Sequence, residues 1–227
     1  CGLTEMYGYD INPLAVLISK ARFTKISINK IIETKKELRS NIYEFLKDET
    51  NIEKLKRPQI TNIDYWFSKE VTNDLTIIKY CIEQIQDKNI RRFFLIPFSE
   101  TVRECSYTRN NEFKLFRMKS EDILNFNPDA IGVYFKKLED AIFLYSNFYF
   151  PKLDKNINVN VQYSTFQSQN EYFDIVLTSP PYGDSRTTVA YGQFSTLSNE
   201  WLGINYARKI DGMLMGGVKS KQNIQNG

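Results

Sequence analysis

Histidine is absent from all 227 residues of this chain. Its absence excludes Ser-His-Asp triads, Cys-His pairs, histidine zinc sites and histidine general bases. Cysteine is scarce, because Cys1, Cys81 and Cys105 are the whole set and no C-x-x-C pair occurs. An odd number of widely spaced cysteines argues against a disulfide framework and against a thiolate zinc site. We therefore expect no bound metal.

Long apolar runs are also missing. No segment approaches the roughly 18 residues that a helix needs to cross a bilayer, and no signal segment opens the chain. We expect a cytoplasmic protein without membrane contact. The net charge of +3, from 30 basic and 27 acidic side chains, is too small to indicate a nucleic-acid partner by itself. An apolar content of 42% is enough for a buried core.

Strand patterns lie near both ends of the sequence. Residues 6–10 form a short strand pattern that leads through Pro13 into an apolar helix. Alternating apolar and polar residues predict a second strand over residues 157–163. The compact apolar run at residues 172–177 predicts a buried parallel strand.

Between these strands the pattern is helical. It predicts a helix or helix pair over residues 24–57 that ends at Pro58, a helix from near Asn73, and a helix from Asp129 that stops before Pro151. The first of these places apolar residues among charges, at Ile28, Ile32, Leu38, Ile42, Phe45 and Leu55. We predict an α/β sheet domain, residues 1–21 and 157–227, interrupted by a mainly helical insertion, residues 22–156, that is a candidate target-recognition region.

The residues with the most specific chemistry follow the run at 172–177. Ser179, Pro180, Pro181 and Tyr182 would lie at the carboxyl end of a strand, where open α/β sheets bind ligands. An exocyclic amino nitrogen is a poor nucleophile until acceptors hold its hydrogens, and the Ser179 hydroxyl and Pro180 carbonyl are suitable acceptors. Tyr182 can stack on a base that is flipped out of a duplex. A stiff turn or polyproline ligand is the simpler alternative, but no P-x-x-P context is present.

Residues 177–182 resemble the catalytic motif [S/N/D]-P-P-[Y/F/W] of the amino-methyltransferases, which use S-adenosylmethionine (SAM). The similarity continues through residues 183–185, 187–195 and 201–203, as in prokaryotic restriction-modification and orphan DNA methyltransferases. The resemblance implies an incomplete, Rossmann-like SAM-dependent methyltransferase sheet with a large helical insertion. It also implies double-stranded DNA with a flipped target base as substrate, and a cognate restriction endonuclease as a candidate partner.

Two features of the sequence narrow the choice of the atom that is methylated. Serine at its first position favours N4 of cytosine over N6 of adenine, by resemblance to the family. Ring-carbon methylation needs a nucleophilic cysteine in a Pro-Cys loop, and no cysteine here adjoins a proline. Methylation of RNA or of a protein glutamine amide stays open as an alternative.

A second group of residues, Asp10, Ile11 and Asn12, ends the first predicted strand. An acid at such a position can accept hydrogen bonds from ribose hydroxyls, although a helix-capping aspartate is the simpler interpretation of the pattern alone. The resemblance implies that these residues bind SAM, with Asp10 on the ribose and Ile11 beside the adenine. Ser164 and Thr165 follow the strand at 157–163, where this family often has an acid that contacts the adenine.

One part of the family pattern is not found. The glycine-rich methionine-binding loop, F-x-G-x-G, should precede Gly8, and only a short stretch stands there. We therefore expect a fragment of a longer enzyme, a split enzyme or a partial sequence. A non-catalytic DNA-binding fragment without the SAM loop is the alternative of a different class.

Residues 88–119 hold eight basic and three acidic side chains, interleaved with aromatic residues. Such a mixture suits contact with phosphates and stacking on unpaired bases. Helical spacing from Phe98 to Arg109 places Arg103 and Ser106 on one face, and with Arg109 and Arg117 they form the predicted DNA-contacting set. A solvated basic face over an aromatic core is an equally good interpretation.

Overall fold

The computed structural model describes residues 4–48, 50–109, 112, 114–153, 157–163, 173–178 and 191–214. In this part of the chain the sheet has two parallel strands, β1 (Glu5–Asp10) and β2 (Asn158–Tyr163). Their register places Asp10 opposite Tyr163, so both strands end at the same edge of the sheet. The two strands predicted at residues 6–10 and 157–163 are confirmed.

Helices form most of the remaining described chain. Their bounds are α1 (Pro13–Phe23), α2 (Ile28–Leu46), α3 (Thr50–Glu53), α4 (Ile63–Trp66), α5 (Lys69–Glu83), α6 (Lys88–Glu104), α7 (Ser120–Leu124), α8 (Ala130–Leu144), α9 (Tyr191–Trp201) and α10 (Ile210–Leu214). A π-helical turn (Tyr145–Tyr149) and a 3-10 turn (Phe150–Lys152) follow α8, and another 3-10 turn (Ala207–Lys209) precedes α10. This mixed, helix-rich fold with a small parallel sheet agrees with the predicted α/β class.

The predicted start signals of two helices are confirmed by their capping hydrogen bonds. Asn12 Oδ1 accepts from the Leu14 N–H at 3.1 Å, and Pro13 stands in the first turn, where its missing N–H has no partner to lose. Asp129 Oδ1 accepts from the Gly132 N–H at 2.9 Å and caps α8. These ends follow from local chemistry.

The buried face of α2 differs from the predicted one. Its buried residues are Ile31, Leu38 and Ile42, whereas Ile32 is 40% exposed. At 100° per residue, positions 31, 38 and 42 lie within about 40° of one another, and position 32 lies a quarter turn away. The prediction that Ile32 belongs to the apolar stripe is therefore wrong.

Two helices between β1 and β2, α5 and α6, have other bounds than the sequence predicted. The helix expected from Asn73 begins at Lys69, because the Ser68 hydroxyl caps it by accepting from the Val71 N–H. The segment considered as a basic surface contains α6, which the Asp87 side chain caps and which continues through Pro97. Its buried apolar residues recur at helical spacing, a signal that the basic residues obscured.

The end of the α8 segment also differs. The α-helix ends at Leu144, and helical turns then continue through Lys152. Pro151 does not stop this chain, because it lies in the first positions of the final 3-10 turn. A proline there removes no hydrogen bond that the turn requires. The prediction that helical structure stops before Pro151 is wrong by one short turn.

Residues 173–178 do not form the predicted buried strand. They pair with neither β1 nor β2, and Ile175, Val176 and Leu177 are 70%, 65% and 93% exposed. Phe173 alone makes a ring contact to the sheet, with its centroid 5.7 Å from that of Tyr7 in β1. An apolar run becomes a buried strand only where another strand supplies backbone hydrogen bonds, and none of the described strands does so here.

The hydrophobic core lies among α2, α5, α6 and α8 and includes α9. Helix α6 packs against α1, α5, α8 and α9, and Phe94, Phe98 and Val102 on it are fully buried. Leu197 and Trp201 of α9 join the same cluster. No helix in the described ranges is long and apolar enough to cross a membrane. Within those ranges there is also no group of three or more side chains suited to hold a metal ion.

Asp74 in α5 makes stability depend on pH. Burial, and then the charges of Asp129 and Glu70, raise the pKa of Asp74 from 3.8 to about 6. Between these pKa values the folded state binds more protons than the unfolded state, so stability falls as pH rises from about 4 to 6. We expect Asp74→Asn to raise the free energy of unfolding at pH 7.5 by about 1 kcal/mol, a value discounted for partial solvent exposure.

Urea unfolding at pH 7.5 and pH 4.5 measures this effect. The gain should shrink at the lower pH, where the wild-type carboxyl is largely protonated in the folded state. Asp122→Asn in α7 is the control, because Asp122 is exposed, and it should give no comparable gain. An equal gain at both pH values would show that charge at Asp74 is not the cause.

Candidate active site

The carboxyl edge of the sheet carries the three predicted cofactor residues that the structure describes. Asp10 is half-buried, and its Oδ1 accepts a hydrogen bond from the Asn12 N–H at 2.7 Å. Among the described residues, no donor is bonded to its Oδ2. That oxygen can therefore accept from an external hydroxyl at the edge. Ile11, also half-buried, follows directly.

Asn12 connects this edge to helix α9. Its Nδ2 donates to Ser195 Oγ at 3.0 Å, and its Oδ1 accepts from Asn199 Nδ2 at 3.1 Å. Ser195 and Asn199 are buried on α9, at 3% and 0% exposure. One side-chain amide thus holds the start of α1 to the buried face of α9.

The first turn of α9 also contacts the insertion and α10. Gln193 Oε1 accepts from the Leu115 N–H at 3.3 Å, and its Nε2 donates to Asp211 Oδ2 at 2.8 Å. The carbonyl of Phe194 accepts from Arg103 Nη1 at 3.0 Å, and the same guanidinium lies 3.7 Å from the Phe194 ring centroid. Residues 193–195 belong to the stretch that resembles DNA methyltransferases, but no local signal in the sequence predicted these contacts.

Arg103 and Ser106, two of the predicted DNA-contacting residues, make their hydrogen bonds within the protein. Arg103 Nη2 donates to the Glu112 carbonyl at 2.6 Å, and burial lowers the pKa of Arg103. Ser106 is fully buried, and its Oγ donates to the Arg103 carbonyl at 2.7 Å. The expectation of one helical face from Phe98 to Arg109 is wrong, because α6 ends at Glu104 and Ser106 lies beyond it.

Arg109 and Arg117, the other two, lie on an antiparallel hairpin whose described residues are 107–109, 112 and 114–118. Thr108 and Arg117 form its antiparallel bridge. Arg109 is exposed and pairs with Glu112 at 3.2 Å. The guanidinium of Arg117 lies 4.5 Å from the ring centroid of Tyr65, and its Nε donates to the Tyr65 carbonyl at 2.9 Å. The hairpin therefore presents Arg109 to solvent and holds Arg117 against an exposed aromatic residue.

A pair of tyrosines lies beside the end of β2. The rings of Tyr163 and Tyr206 are 5.7 Å apart, and a hydrogen bond to Tyr163 raises the pKa of Tyr206 to about 12. The Tyr206 hydroxyl therefore stays protonated at neutral pH. Tyr206 follows α9 in a turn, and no motif in the sequence indicated it.

The remaining predicted site residues lie outside the described residues. These are the target-base residues Ser179, Pro180, Pro181 and Tyr182, and the cofactor residues Ser164 and Thr165. Their roles stay predictions. Ser164 directly follows Tyr163, the last residue of β2, in the sequence.

Comparison with known proteins shows an extended similarity. The Type II methyltransferase M.MvaI from Kocuria varians is 39% identical over 238 residues, which include 98% of this chain and 52% of that protein. The chain is thus similar to a Type II methyltransferase over nearly its whole length. The resemblance to restriction-modification DNA methyltransferases is thereby confirmed. No family model and no solved structure matches the chain.

The chain spans about half the length of the curated protein that it matches. The similarity includes both the strand end with Asp10 and the segment that precedes α9, because nearly all of the chain is aligned. The described geometry adds that Asn12, two residues after Asp10, contacts Ser195 and Asn199 of α9.

Proposed function

We propose that this chain is part of a site-specific DNA methyltransferase that transfers a methyl group from SAM to an exocyclic amino group. The observation that carries the proposal is the 39% identity to a Type II methyltransferase over 98% of the chain. The sequence of residues 179–182 supports an amino target. The absence of a cysteine beside a proline argues against attack at a ring carbon.

The edge of the sheet fits the nucleoside part of SAM. Asp10 has one carboxylate oxygen bonded to the Asn12 N–H and the other directed to no donor among the described residues. It can receive ribose hydroxyls there, as acids at this position do in nucleotide-binding sheets. Ile11 supplies apolar contact to the adenine, and Ser164 and Thr165 supply hydroxyls at the end of β2. SAM supplies the methyl group on a positively charged sulfur.

The target base is held by the segment between residue 178 and α9. The Ser179 hydroxyl and the Pro180 carbonyl accept hydrogen bonds from the amino group, which localises the nitrogen lone pair for attack. The rigid Pro180-Pro181 backbone fixes these acceptors, and Tyr182 stacks on the base after it leaves the duplex. Serine at the first position favours N4 of cytosine over N6 of adenine.

Contact with the DNA backbone is assigned to the hairpin that carries Arg109 and Arg117. Arg109 is exposed, and Arg117 lies at the base of the hairpin beside Tyr65. Arginine and aromatic side chains together suit phosphates and unpaired bases. The hairpin is anchored to α9 through the Leu115 N–H and Gln193, so it lies close to the element that follows the target-base segment. A cognate restriction endonuclease would act on the same DNA sequence.

Methyl transfer from labelled SAM to unmethylated duplex DNA tests the proposal, with the protein that contains this chain. We expect labelled DNA that yields N4-methylcytosine on nucleoside mass spectrometry. We expect Ser179→Ala to lower kcat by about 100-fold, the usual effect of losing one hydrogen bond to a reacting group. Ser40→Ala, at an exposed position on α2, is the matched control and should leave kcat unchanged.

Three other results would have different meanings. N6-methyladenine alone would refute the cytosine preference and keep the amino-methyltransferase proposal. Neither SAM binding in calorimetry nor methyl transfer would refute the proposed activity and favour a non-catalytic DNA-binding fragment. Full activity in Ser179→Ala would refute the assigned role of Ser179.

A further inference from the structure

We infer that Asn12 is a positioning residue that sets helix α9, and with it the target-base segment, relative to Asp10. The catalytic part of this inference rests on the proposed function. The sequence predicted Asn12 as a residue that binds the cofactor. The described contacts give its side chain a different role.

The hydrogen bonds of Asn12 fix the orientation of its amide. The Leu14 backbone N–H can only donate, so the atom that faces it is Oδ1, at 3.1 Å. The amide nitrogen therefore faces Ser195 Oγ, at 3.0 Å. Oδ1 also accepts from Asn199 Nδ2, which occupies the second of its two lone pairs. The amide oxygen has no lone pair left for a cofactor.

The two partners on α9 have complementary hydrogen bonds. Ser195 Oγ donates to the Gly192 carbonyl at 3.1 Å, which leaves its oxygen free to accept from Asn12. Asn199 is fully buried and donates to Asn12, while its own Oδ1 has no hydrogen-bond partner in the described part of the chain. An unpaired buried oxygen is already unfavourable, so breaking the bond to Asn12 would leave a second polar group of the Asn199 amide unpaired.

This network joins the strand end that is assigned to the cofactor to the helix that follows the target-base segment in the chain. Asp10, which is assigned to the ribose, is two residues before Asn12 in the chain. Helix α9 begins at Tyr191, nine positions after Tyr182, the last residue of the target-base segment. Methyl transfer requires the two reacting atoms to approach within about 3.5 Å, and an error of about 1 Å can reduce the rate 100-fold. A shift of α9 relative to β1 therefore reduces the rate of transfer and leaves the ribose contact intact.

Two substitutions separate this role from the others. Asn12→Ser keeps a side-chain oxygen that caps α1, but the shorter side chain cannot also reach α9. Ser195→Ala removes the acceptor on α9 and leaves the β1 edge unchanged. We expect kcat for methyl transfer to fall about tenfold in each variant, as misplacement of reacting groups predicts. The KM for SAM should change less than about twofold, because uniform binding is kept.

The double variant and a matched control complete the design. Asn12→Ser with Ser195→Ala should lose about tenfold in kcat, not about 100-fold, because both changes break the same contact. Ser198→Ala is the control: Ser198 is equally buried on α9, but its hydroxyl donates to the Ser99 carbonyl of α6 at 2.7 Å. Its kcat should stay within about twofold of the wild type, since additivity holds for sites outside a shared network.

The opposite outcomes are distinct. A large rise in the KM for SAM in Asn12→Ser, with kcat unchanged, would show that Asn12 binds the cofactor. An equal loss of kcat in Ser198→Ala would show a general effect of α9 stability. An inactive wild-type protein would refute the proposed function. In that case the unfolding free energies of the variants test the Asn12 network. If the losses of Asn12→Ser and Ser195→Ala add up in the double variant, the two side chains do not act through one contact.

Discussion

Replacing Trp201 by alanine is expected to lower the free energy of unfolding by about 3–5 kcal/mol, the range for a fully buried aromatic side chain. Trp201 is 0% exposed at the end of α9. Its ring packs edge-to-face against Phe67 and Phe98, with centroids 5.8 and 6.0 Å apart. The substitution removes the largest fully buried side chain and leaves a cavity between α9 and α6.

Urea unfolding followed by circular dichroism measures this loss. Trp201→Phe should cost much less, about 1 kcal/mol, because the aromatic contacts remain and the indole N–H that is removed makes no hydrogen bond with the described residues. The indole Nε1–H of Trp201 is buried and, in the described part of the chain, donates to no hydrogen-bond acceptor. Phe148→Ala, at a side chain that is 51% exposed, is the control. Similar losses for Trp201→Ala and Phe148→Ala would contradict the packing seen here.

Local chemistry explains which elements the sequence predicted. Asn12 and Asp129 are followed by free backbone N–H groups that they cap, and the alternation at residues 157–163 matches the period of β2. Each of these signals acts within a few residues. Such signals do not depend on what packs against the element, so they were visible without the fold.

The errors arise where packing decides. Residues 172–177 have the composition of a buried strand, yet burial depends on neighbours that composition does not specify. Residues 88–119 were interpreted from their basic side chains, whereas the apolar face of α6 lies in the core and the helix continues through Pro97. Ile31 and Ile32 are neighbours in sequence, but they point about 100° apart around the axis of α2, so only one of them can face the core.

The candidate site shows the same division. Asp10 could be predicted because an acid at the end of a strand has a recognisable local pattern. The partners of Asn12 could not be predicted, since Ser195 is 183 positions away and no periodicity connects them. The family resemblance indicated the chemistry of residues 179–182, and the fold adds which contacts hold the helix that follows them.

Replacing Gly192 by alanine is expected to destabilise the protein by about 2–3 kcal/mol, because overpacking against the backbone forces a shift. A Cβ at Gly192 would overlap Cα and N of Asp211, the backbone of α10. The shift would also break the hydrogen bond from Gln193 to Asp211, which holds the first turn of α9. We therefore expect a loss of methyl transfer together with the loss of stability.

Gly212→Ala is the matched control for this prediction. Gly212 lies on α10 next to Asp211, and a Cβ there meets no atom within 4 Å. Alanine has the higher helix propensity, so this variant should gain up to about 1 kcal/mol. Equal losses in both variants would contradict a specific overlap at Gly192, because a Cβ at Gly212 meets no atom. A loss confined to Gly192→Ala would show that the glycine is required by close approach of α9 and α10, and that this contact fixes where α9 begins.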